Sequence, residues 1–63
     1  MTVYDALKKA EPSQRMRITD EVRGSVSGST FSLHEMLGGV IMSLEVDIIR
    51  AEGGVIVVEV KSK

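Results

Sequence analysis

The chain has no cysteine and no tryptophan, a single proline, one histidine and only two aromatic residues, Tyr4 and Phe31. Without cysteine there are no disulfides and no thiolate metal sites. His34 alone is too little for a structural zinc. With so few aromatics the core has to be aliphatic, and there is no stacking platform for exposed bases. No apolar run approaches the roughly 18 residues that a membrane span needs. Met1-Thr2-Val3-Tyr4-Asp5 lacks the basic and apolar regions of a signal peptide. The expectation is a cytoplasmic chain with no membrane partner.

A charge excess of either sign is missing too. The formal net charge of −1 is unlike that of a duplex-DNA binder, so nucleic acid is disfavoured as a partner. Residues 1–31 carry five basic and four acidic groups, and residues 32–63 carry three and five. That imbalance is too small to decide anything.

The 63 residues make one small domain, 1–63. Ordering each residue costs about 1.5 kcal/mol, which burial in so short a chain barely offsets. Small domains escape through disulfides, metals or oligomers, and only the last route is open here. Val55-Ile56-Val57-Val58-Glu59-Val60 points the same way. A strand with one wet face alternates apolar and polar residues, whereas this one is apolar on both faces. Both faces need cover, which predicts a homo-oligomer.

Thr2 to Asp5 forms a capping box ahead of Val3, Ala6, Leu7 and Ala10 at helical spacing, so a helix is expected over 3–10. Pro12 stops it. Gln14 to Thr19 alternates, with Met16 and Ile18 inward and Arg15, Arg17 and Thr19 outward. The Gly- and Ser-rich stretch 22–32 fits a strand over 25–31 or a mobile loop, and the strand is preferred. Ser32 to Glu35 is a second capping box, followed by Leu33, Met36, Leu37, Val40, Ile41 and Leu44 at helical spacing. A helix over 33–42 follows, although Gly38 and Gly39 oppose it by about 1 kcal/mol each. Leu44 to Ile48 alternates, Ala51 to Gly54 is a hairpin turn, and 55–60 is the last strand. The sum is an α+β fold, α-β-β-α-β-β, with a small, mostly antiparallel four-stranded sheet packed with two short helices.

Known catalytic loops do not fit. Gly24 to Thr30 has no lysine for a phosphate loop, and Val26 stands where a nucleophile elbow needs serine. His34 could act as a base on Ser32, but no third group orients it, and a histidine in a first helical turn is most often a surface residue. Glu45 and Asp47 share a strand face, as Arg15 and Arg17 do. Two carboxylates are too few for a metal site, and pairing between the arginine and carboxylate faces is the simpler account. A non-enzyme without metal or cofactor is expected.

One compound feature points to a ligand. Arg15, Arg17 and Arg23 flank Ser25, Ser27, Ser29 and Thr30, which lead into a helix start at Ser32. Guanidinium forks, hydroxyls and helix N–H groups suit a phosphate or nucleotide-like anion. A solvated hairpin of ordinary turn residues accounts for the same pattern. Four methionines suggest a further surface for a protein partner, with Met16 and Met36 in the core and Met1 and Met42 exposed.

The Val-Tyr-Asp-Ala-Leu-Lys-Lys helix, the Gln-Arg-Met-Arg-Ile strand and the Ile-Arg-Ala-Glu-Gly-Gly-Val-Ile-Val-Val hairpin resemble, in general layout, small bacteriophage accessory proteins. The resemblance spans most of the chain and assigns no residue a role. It implies a counter-defence protein in a bacterial host cell: either an oligomer that sequesters a nucleotide signal, or an inhibitor or adaptor that binds a host protein. In the first case Arg15, Arg17, Arg23 and the Ser/Thr segment are expected to hold the ligand at a subunit interface. A small regulator of DNA transactions ranks third.

Overall fold

The computed structural model describes residues 1–61. Thr2 caps helix α1 (Val3–Lys9) reciprocally: its hydroxyl accepts from the Asp5 N–H, and the Asp5 carboxylate accepts from the Thr2 N–H at 3.0 Å. Those bonds hold the Asp5 carboxyl below its ordinary value. Val3, Ala6 and Leu7 make the buried stripe, and Lys8 and Lys9 occupy the last turn.

Strand β1 (Arg15–Asp20) turns into β2 (Gly24–Ser29) through residues 21–23. Asp20 builds the turn, its carboxylate accepting from the Val22 N–H at 2.9 Å and from Arg23 at 2.8 Å. Gly24, at φ +87°, supplies the left-handed residue that ends such a three-residue loop. Stretch 24–29 is thus a strand, one residue earlier at its start than expected and ending at Ser29 because Thr30 and Phe31 already belong to the next helix; its register puts Val26 opposite Ile18 and Ser27 opposite Arg17.

The second helical region differs from the expected 33–42 in two ways. Helix α2 (Thr30–Met36) starts early because Ser29, not Ser32, caps it: the Ser29 hydroxyl accepts from the Ser32 N–H at 3.1 Å. It stops at Leu37, and a single turn, α3 (Gly39–Met42), follows with Gly38 as its cap. The conformational cost of Gly38-Gly39 outweighs a good apolar pattern on both sides, so there are three short helices rather than two.

Strands β3 (Val46–Glu52) and β4 (Val55–Val60) form a hairpin closed by Gly53 and Gly54, both at positive φ as a two-residue turn requires. A bulge falls between Val46 and Ile48. It breaks the alternation read from Leu44 to Ile48, so Ile48 pairs with Glu59 and Ile49 with Val58.

The strand order is β2-β1-β4-β3. Both hairpins are antiparallel, but the central pair β1 and β4 is parallel. The sheet is therefore mixed, not mostly antiparallel. Each hairpin is set by its own turn, whereas their mutual direction is set by the crossover through α2 and α3, which carries the chain from one sheet edge to the other.

The helices lie on one face only. There Met16 and Ile18 of β1 and Val58 and Val60 of β4 pack against Val3, Ala6, Leu7 and Leu33. The opposite face has no second layer. Even so, Val57 on that face is 1% exposed. Its in-register neighbours on that face are Arg17 and Arg50, and long side chains in those positions shield a small apolar residue between them with their aliphatic stems. Val57 and Val58 are thus both buried within one chain, while Val55 and Ile56 stay half-buried.

Candidate functional site

The uncovered sheet face can be read as rows across the four strands. One row is Ser27, Arg17, Val57 and Arg50; the next is Ser29, Arg15, Val55 and Glu52; the third is Ser25, Thr19, Glu59 and Ile48. Period-two alternation brings Arg15 and Arg17 to this face roughly 7 Å apart along β1. The hairpin register places a serine beside each of them. Five of the seven residues singled out by sequence, Arg15, Arg17, Ser25, Ser27 and Ser29, are therefore neighbours on one surface.

The other two are placed differently. Arg23 sits in the β1–β2 turn and is held by the Asp20 carboxylate, which its guanidinium and the Val22 N–H keep below its ordinary value. Thr30 is buried, and its hydroxyl donates to the Gln14 carbonyl at 2.9 Å, pinning α2 to the loop before β1. Ser29 has double duty: while capping α2 it donates to the Ser32 hydroxyl at 3.0 Å. The side chains of Ser25 and Ser27 are outside these capping contacts and stand exposed.

Electrostatically the face is divided. On its β3–β4 side, Arg50 is shared by two carboxylates, Glu52 at 2.6 Å and Glu59. The two hydrogen bonds raise the Arg50 pKa further above its ordinary value, and Glu52 is held below its own, chiefly by Arg50 and more weakly by Arg17. Two carboxylates to one guanidinium leave that side with a negative excess. On the β1 side Arg15 and Arg17 have no carboxylate within ion-pairing distance among the described residues, in contrast to Arg23 and Arg50. The unpaired positive charge of this face is therefore on β1, and its excess negative charge is on β3 and β4.

The remaining candidates have structural placements. His34 stacks on Tyr4, with ring centroids 5.6 Å apart. Ser32 is two residues away on the same helix, where side chains do not face each other. Glu45 lies 3.5 Å from the N-terminal amine, and Asp47 sits at the bulge. Of the methionines, Met16 is buried and Met1 exposed as expected, but Met36 is exposed and Met42 packs partly against the core. Helical spacing put Met36 on the apolar stripe, but it is the last residue of α2 and 58% exposed. Among the described residues no helix is long and apolar enough to cross a membrane.

Sequence reasoning did not find the role of Arg50, which covers Val57 and gathers two carboxylates. The signal lay in the hairpin register, two residues before Glu52 and opposite Val57 across the Gly53-Gly54 turn. Comparison with protein-family models, curated proteins and solved structures finds no match to this chain.

Proposed function

We propose that the chain is a non-enzymatic binding protein that works as a homo-oligomer and holds a phosphate-bearing, nucleotide-like anion on the open face of its sheet. The observation that carries this reading is the pair Arg15 and Arg17: two guanidinium groups with no carboxylate partner among the described residues, side by side on an uncovered surface, each opposite a serine. Arg23 and Arg50 are both in ion pairs. Guanidinium forks bind phosphate oxygens in pairs, and the Ser27 hydroxyl can add a hydrogen bond in the same row. Arg23 and Thr30 fall outside the ligand set because their polar groups are already engaged.

A role in sequestering a nucleotide signal against a bacterial defence system rests on the resemblance to phage accessory proteins and on the lack of a recognisable catalytic group beside the arginines. The second reading, an inhibitor or adaptor with an aliphatic and methionine surface, has weaker support. Its exposed methionines are dispersed, Met1 beside Ile49 in a groove against β3 and Met36 at the end of α2.

Native mass spectrometry of gently purified protein tests the leading reading. Retained mass that disappears on phosphodiesterase treatment is the expected result. Arg15→Ala or Arg17→Ala should each weaken binding of that species by at least about tenfold, the worth of one charge-assisted hydrogen bond. Arg23→Ala should leave it unchanged. Binding that survives both Arg15→Ala and Arg17→Ala would overturn the assignment.

A further inference from the structure

The helical side of the molecule displays what the core lacks. The only tyrosine and the only phenylalanine of the chain are both on the outside, Tyr4 43% and Phe31 60% exposed. The only histidine joins them, stacked on Tyr4, and the Lys8 ammonium lies 5.8 Å from the Tyr4 ring centre. Phe31 borders a shallow groove of about 280 Å³ whose apolar walls are Leu7, Ala10 and Pro12. A cavity of ~150 Å³ already holds a benzene ring, so this groove has room for a phenyl side chain.

Lys8 and Glu35 border the same groove, and neither is in an ion pair among the described residues. A patch with a cation and an anion outside any ion pair, a projecting ring and a ring-sized groove can complement itself under a two-fold axis. Phe31 is among the most exposed of the large apolar side chains of the described residues, and it stands at the rim of an apolar groove.

We infer that a second copy of this chain docks on the α1–α2 face, with Phe31 of each copy in the groove of the other and Lys8 of each against Glu35 of the other. This names the interface of the oligomer in the function proposed above and rests on that reading for its biological sense. The helices occupy the opposite side of the sheet from Arg15 and Arg17, so each arginine face stays outward and complete within one copy, in place of the subunit-interface ligand site expected from sequence.

Sedimentation equilibrium over a range of protein concentrations tests the inference. Wild-type protein should weigh twice the chain mass. Phe31→Glu, at an exposed position that leaves the fold intact by circular dichroism, should raise the dimer dissociation constant at least about tenfold, as expected of an aromatic anchor. Lys8→Glu and Glu35→Lys should each weaken the dimer, and the double reversal should restore it. A monomeric wild type at millimolar concentration, a Phe31→Glu protein that dimerises normally, or a double reversal no better than the singles would overturn it. A wild-type monomer that captures an unrelated protein through Phe31 would also overturn it, in favour of the adaptor. The anion reading fails separately: Phe31→Glu should retain ligand binding, whereas Arg17→Ala should lose it and still dimerise.

Discussion

Val57 and Val58 are adjacent on one strand, equally hidden, and hidden by different means. Val58 lies under a helical layer with Leu7, Leu33 and Ile18 around it. Val57 lies on the bare face, flanked in register by Arg17 and Arg50. An apolar strand can thus be dry on both sides without a second layer, provided long charged side chains lie over the exposed side. The same arrangement that covers Val57 presents the Arg17 guanidinium to solvent. One residue thus supplies both cover and charge on the open face.

That contrast can be broken most severely on the helical side. Leu33→Ala should cost about 2–5 kcal/mol and Val58→Ala about 2–3 kcal/mol, because closely packed neighbours on the helical side leave a cavity open. Val57→Ala should cost roughly half as much as Val58→Ala, since flexible arginine stems can close over the smaller side chain. Urea denaturation of the three variants checks the order; equal losses at 57 and 58 would mean that the two faces are packed alike.

Arg17→Met sharpens the comparison by separating stem from charge. It should leave the urea midpoint near the wild-type value while abolishing Arg17-dependent anion binding. Arg17→Ala should reduce both.

The smallest effect is a titration. Asp20 is the carboxylate at the inner-face end of β1, and its pKa is lowered by the Val22 N–H and Arg23. A group whose folded pKa is depressed stabilises the fold above its unfolded pKa, near 4, and that contribution fades as pH falls through the lower, folded value. Thermal melts between neutral and acid pH should therefore show a decline that Asp20→Asn makes shallower.

Much of this fold is written locally. The Thr2–Asp5 capping box, the inward Met16 and Ile18, and the Gly53-Gly54 turn are each determined by residues within a few positions of one another. Three features depended on longer-range or competing terms. The parallel contact of β1 with β4 arises from a crossover that no local period encodes. The break at Gly38-Gly39 was a contest between propensity and pattern that only packing decides. The bulge at Asp47 moved Ile48 to the open face although Leu44 to Ile48 alternates cleanly. For the candidate residues, alternation put Arg15 and Arg17 on one outward face, because strand faces follow from period two alone, while the hairpin register set which serine lies beside each. The engagement of Arg23 with Asp20 and of Thr30 with Gln14 depended on turn and helix-start geometry that the residue types left open.

The most direct test of the central claim is a backbone-amide NMR titration of wild-type protein and of the Arg15→Ala/Arg17→Ala double variant with a panel of mono- and dinucleotides. The account predicts saturable shifts along residues 15–17 and 25–29 of the wild type, fading with salt and absent from the double variant. Shifts confined to the α1–α2 face, or unchanged in the double variant, would contradict it.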